Sequence, residues 1–71
     1  MSRYLIVIEE TATGYSAYSP DLPGCIATGH DRAEVEQAMR EAIALHIEAL
    51  QEMGEPIPPP VSTSAYVDVA A

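Results

Sequence analysis

The side chains best suited to chemistry are few: Cys25, His30, His46 and the carboxylates Glu9, Glu10, Asp21 and Asp31. A cysteine becomes a nucleophile when a helix N-terminus or a cationic neighbour lowers its pKa. Cys25 instead follows the stretch "SPDLPG", whose prolines and glycine mark a turn, so a structural thiol is expected. His46 falls close to an apolar helical stripe and reads as a packed histidine, while His30 adjoins a helix start and reads as exposed. No HxxxH or CxxC spacing is present to bind zinc. Glu9, Glu10, Asp21 and Asp31 fall at strand ends or in loops. Converging on Mg²⁺, Asp21 with Glu9 or Glu10 would make a weak metal-dependent nuclease. The simpler reading is solvated strand-end carboxylates. No phosphate-cradling glycine loop or Ser-His-Asp set is present. A deep pocket is also hard to build from 71 residues. The expectation is a non-enzyme with no cofactor and no metal.

Charge narrows the partner class. Eleven acidic residues face three arginines, Arg3, Arg32 and Arg40, for a formal net charge of −8. Nucleic-acid binders carry a basic patch, so direct nucleic-acid binding is not expected. An acidic surface attracts basic partners. Cys25 has no second cysteine to pair with, which fits a reducing compartment. The opening "MSRYLIVIEE" has neither the shape of a signal peptide nor the length of a membrane span. A cytoplasmic protein of one domain, residues 1–71, is expected. A core this small is marginal alone, and 48% of the residues are hydrophobic, so a homo-oligomer, dimer or tetramer, is expected.

The elements that must position these groups follow from pattern. "YLIVIE" (Tyr4 to Glu9) is apolar on both parities, as in a strand covered on both faces. "ETATG" is a turn, and "YSAYS" (Tyr15 to Ser19) a second strand, antiparallel to the first across so short a link. Pro20 ends it. "LPGC" sets Pro at i+1 and Gly at i+2, which predicts a type II turn. "CIAT" (Cys25 to Thr28) is a short third strand. Asp31 with Glu34 three residues on predicts an N-cap, and Val35, Met39, Ala42, Ile43, Leu50 and Met53 recur at helical spacing up to a Gly54 stop. "EPIPPP" is a stiff spacer, and "AYVDV" (Ala65 to Val69) a last strand. The fold class is α+β, in the order β-β-β-α-β, a small antiparallel sheet with one long helix on one face. The second face of the sheet, or one of its edges, is expected to meet another chain.

The stretch "GYSAYSPDLPGCIATGHDRAEVEQAMREAIALHIEAL" resembles the HicB-like antitoxins. The aromatic second strand ending in Tyr18, the corner "SPDLPGC", the "TG" and the capped helix carry the resemblance, with "GEPIPPP" fitting as well. It implies a truncated ribonuclease-H-like domain without catalysis. Its partner would be a small basic HicA-type toxin that cleaves RNA. Many members add a C-terminal DNA-binding domain. This sequence ends at Ala71 after the last strand, so operator binding by this chain is not expected. Carried over from the motif, the partner-binding residues are Tyr18, Pro20, Asp21, Leu22, Pro23, Gly24 and Cys25. Tyr18 and Leu22 would supply apolar contact, Asp21 would meet a basic group, and the prolines and glycine would hold the loop's shape. The alternative is an orphan self-assembling module without a toxin.

Overall fold

Three antiparallel strands lie side by side in chain order: β1 (Val7–Thr11), β2 (Gly14–Tyr18) and β3 (Ile26–Gly29). One helix, α1 (Arg32–Glu52), follows. The computed structural model describes residues 2–70. The α+β architecture expected from the sequence is present. β1 and β2 join through a two-residue loop that sets Thr11 opposite Gly14 and Val7 opposite Tyr18. β2 then pairs with β3 from Tyr15 opposite Gly29 to Tyr18 opposite Ile26.

The helix begins and ends where its caps dictate. The Asp31 side chain accepts from the Glu34 amide at 2.8 Å, satisfying one of the orphan donors of the first turn. Glu34 reaches back one residue further than in a standard capping box, accepting from the amide of His30 at 3.2 Å. At the far end the Glu55 amide donates to the Leu50 carbonyl and the Gly54 amide to that of Gln51. This is a Schellman pair, closed by Gly54 at φ 68.

The core is Ala17, Leu22, Cys25, Val35 and Met39, with Tyr4, Ile6, Ile8, Tyr15, Ala27, Ala42 and Ile43 packed against it. Ile8, Ala17 and Ala27 are cross-strand partners in one row, so this row faces α1. The 21-residue helix is about 32 Å long, roughly twice the 17 Å of a five-residue strand. Its second half therefore outruns the sheet. Leu45 and Met53 are both 65% exposed, although Met53 belongs to the predicted apolar stripe.

Two strand expectations change. β1 starts at Val7 rather than Tyr4, because β2 ends opposite it at Tyr18. Beyond that point the partner chain turns away, and Ser19 meets the earlier residues only through its hydroxyl, which donates to the Leu5 carbonyl at 2.9 Å. The expected fourth strand at Ala65 to Val69 does not form: among the described residues no strand follows α1. A strand needs a hydrogen-bonded neighbour, and within this one chain the segment has none.

Candidate functional site

The corner from Ser19 to Cys25 is locked by its own backbone. The Leu22 amide donates to the Ser19 carbonyl at 3.1 Å, and the Cys25 amide donates to the Leu22 carbonyl at 3.1 Å. The Ser19 amide closes the loop on the Cys25 carbonyl at 3.3 Å. Gly24 sits at φ 83, the left-handed value that the third position of a type II turn demands and that side chains resist. The predicted turn is therefore present.

Its apolar members point inward. Leu22 is fully buried and Cys25 is 4% exposed. Leu22, expected to supply apolar contact to a partner, lies instead in the core, and Cys25 lies there with it as the buried thiol the sequence predicts. The inversion has a simple cause. Pro20, Pro23 and Gly24 occupy the outside of the turn and are exposed, which leaves Leu22 and Cys25 directed towards Val35 and Met39. Desolvation by burial raises the Cys25 thiol above its ordinary 9.0, so it stays protonated at neutral pH, as a structural thiol would. Asp21 is already engaged. Its carboxylate accepts from the Ser62 amide at 3.0 Å and from the Ser62 hydroxyl at 2.8 Å.

The remaining predicted contact residue, Tyr18, is 41% exposed. It stands between Val7 on β1 and Ile26 on β3 in direct register. Directly opposed residues project from the same face, and the adjacent row faces α1. Val7, Tyr18 and Ile26 therefore form an apolar row on the sheet face away from the helix, with Ile26 70% exposed. The next row on that face is Glu9, Ser16 and Thr28. An apolar stripe beside a polar, acidic one results, and the rigid corner follows directly on Tyr18 at its centre. The sequence singles out Tyr18 but does not set Val7 and Ile26 beside it. The signal was the strand register, which only pairing discloses.

The carboxylates do not form a cluster. Glu9 and Glu10 are consecutive on β1 and so project from opposite faces. Asp21 holds Ser62, and Asp31 caps the helix. Among the described residues, no three of His, Cys, Asp and Glu come together as a metal site. His30 lies exposed 3.2 Å from Glu34, and His46 is half-buried on the helix. Among the described residues no helix is long and apolar enough to cross a membrane.

Comparison with known proteins agrees with this arrangement. A 14.9 kDa uncharacterized protein from the rep-hol intergenic region of Haemophilus phage HP1 is 35% identical over 92% of the chain. The chain spans about half of that relative's length, 49%. A UPF0150 protein of Synechocystis is 39% identical, matching 79% of this chain and 72% of its own. A UPF0150 protein of Thermoplasma acidophilum is 35% identical, matching 79% and 83%. Among solved structures, a chain of the HicA3 and HicB3 toxin-antitoxin complex superposes with a TM-score of 0.74 and 42% identity, over 83% of this chain and 70% of that one. The family model described as the HicB_like antitoxin of bacterial toxin-antitoxin systems matches residues 4–70. With nearly every residue inside that match, and the sheet, corner and helix in the expected order, the chain belongs to the HicB-like antitoxin family.

Proposed function

We propose that this protein binds a small, basic, RNA-cleaving HicA-type toxin and inhibits it by direct contact, without catalysis of its own. The observation that carries this reading is the Val7–Tyr18–Ile26 row, half-buried at Val7 and exposed at Tyr18 and Ile26, on a chain of net charge −8. Hydrophobic rows beside acidic ones suit a basic partner. The charge speeds encounter and the apolar side chains supply the buried contact. Tyr18 is the central anchor. Pro20, Asp21, Pro23 and Gly24 form the rim at its end, and Leu22 and Cys25 keep that rim rigid from beneath. An RNA substrate for such a toxin supports a cytoplasmic location for the pair. The nuclease reading has the least support, because Asp21 is occupied by Ser62 and the two β1 glutamates face apart.

The test is titration calorimetry of the chain against the HicA-type protein encoded beside it, followed by RNA cleavage assays of the free and bound partner. Tight binding that suppresses cleavage is expected. The double substitution Tyr18→Ala with Ile26→Ala removes a hot spot worth about 2 kcal/mol or more, roughly 30-fold in affinity. Unchanged affinity in a variant that keeps its helical circular dichroism overturns the assignment of this face. A neighbour that neither binds nor cuts RNA overturns the function.

A further inference from the structure

Arg3, Arg32 and Arg40 are the only lysine or arginine side chains on a chain with eleven carboxylates. Far apart in sequence, they gather on one side of the fold. Arg32, Glu36 and Arg40 follow at four-residue steps on α1, so they share one helix face. Arg3 reaches the same side from the residues before β1. A groove of about 310 Å³ runs between the two, with Arg3, Tyr4 and Ile6 on one wall and Glu36, Met39, Arg40 and Ile43 on the other. Its floor is apolar: Met39 is buried, and Tyr4, Ile6 and Ile43 pack half-buried against the same core. Arg3 and Arg40 are exposed, one on each wall.

The charges at this groove are unevenly answered. Glu36 lies 3.9 Å from Arg32. Among the described residues neither Arg3 nor Arg40 has an acidic partner, and Arg40 donates only to the Gln37 side chain, at 3.3 Å. A guanidinium holds five donors in a planar fork that fits a carboxylate two bonds at a time. Two such forks across an apolar floor are complementary to an anion with an apolar body. Charge and size select the kind of anion. Screening limits a surface charge to about 8 Å at physiological salt. A small ligand in the groove is therefore governed by three arginines against one glutamate. A nucleic acid or an acidic protein extends well past that distance and meets the chain's other carboxylates, which repel it. Glu36 likewise counts against a doubly charged head such as a phosphate monoester. The groove's volume falls at the lower end for small-ligand sites.

We infer that this groove binds a small organic acid. One carboxylate is held between Arg3 and Arg40, and an aromatic or short aliphatic body lies over Ile6, Met39 and Ile43. The site is separate from the surface proposed for the toxin. Ile6 packs with the core that α1 covers, so the groove opens on the helix side of the sheet. The Val7–Tyr18–Ile26 row lies on the other side, and both surfaces can be filled together. The inference goes beyond the antitoxin reading and stands whether or not a toxin binds.

The test is heteronuclear NMR on the whole chain alone, with 4-phenylbutyrate as the probe. Saturable shifts are expected at the amides of Arg3, Ile6, Met39 and Ile43. The expected dissociation constant is about 2 mM or tighter, ordinary for a ligand of about a dozen non-hydrogen atoms. Two relatives of the probe separate its parts. 4-Phenylbutylamine keeps the body and reverses the charge, and butyrate keeps the head without the ring. Each is expected to bind at least about 10-fold more weakly. Arg3→Gln combined with Arg40→Gln changes two exposed side chains, so the fold is kept. This variant is expected to bind 4-phenylbutyrate at least about 10-fold more weakly than the wild type. An absence of shifts in the groove overturns the inference, whether the groove stays empty or a second copy of the chain covers it. So do shifts confined to other surfaces. An amine or a butyrate that binds as well as the probe, or a double variant that binds as tightly as the wild type, overturns it as well.

Discussion

The corner Ser19–Cys25 and the segment 61–70 are both irregular; the first contains prolines and the second follows them. They satisfy their backbones in opposite ways. The corner closes three backbone hydrogen bonds on itself and sends Leu22 and Cys25 into the core. The segment 61–70 is fixed near its root by Asp21 and, among the described residues, makes no hydrogen bond beyond Ser62. Polar backbone groups end up paired in folded proteins. A segment that meets this condition inside the chain can be buried, and one that does not stays exposed with its backbone open to water or another molecule. In this small protein the same contrast separates the irregular segment that stabilises the fold from the one left exposed.

The largest effect that sharpens this contrast falls on the corner. Leu22→Ala leaves a cavity beneath the turn, among side chains that cannot collapse onto it easily. A loss of about 2–5 kcal/mol is expected, enough to unfold much of a population whose core is this small. Urea denaturation with circular dichroism reads it directly. A loss below about 1 kcal/mol would show that the corner is not anchored through Leu22.

A smaller effect is expected where the two regions meet. Asp21→Ala removes both acceptors for Ser62, at a site half-open to solvent. The expected cost is about 1 kcal/mol, and the loss is local. Amide hydrogen exchange is expected to quicken at Ser62 while Leu22 and Cys25 keep their protection. Equal loss of protection in the corner would mean that segment and corner unfold as one unit.

Much of this was legible in the sequence for physical reasons that are local. The helix limits follow from Asp31 and Gly54, which act on groups within a turn or so of themselves. The type II corner follows from Pro23 and Gly24, whose backbone preferences are their own. What was not legible depends on partners distant in sequence. Val7 and Ile26 join Tyr18 only through strand register. Leu22 and Cys25 look the same in sequence whether the turn faces in or out, and only the packing of Val35 and Met39 decides it. The first strand loses Tyr4 to Ile6 because β2 ends at Tyr18. "AYVDV" has the pattern of a strand, but pattern supplies only half of a pair, and the other half is not in this chain's own sheet.

The smallest effect concerns the corner's thiol. Burial raises the Cys25 pKa above 9.0, so the folded chain holds this proton more tightly than the unfolded one does. Well below pH 9.0 both states keep it, and stability from this group is fully present. As the pH rises through 9.0, the unfolded state ionises first and stability falls, by at most about 1.4 kcal/mol per pH unit until the folded thiol ionises too. Half a unit above 9.0 the loss is below about 0.9 kcal/mol. Urea midpoints taken from pH 8 to pH 10 are expected to decline more steeply for the wild type than for Cys25→Ala, whatever the constant offset between them. Parallel curves would mean that water reaches the thiol as freely in the folded corner as in the unfolded chain. The inward-facing half of the comparison between corner and segment would then fail at Cys25.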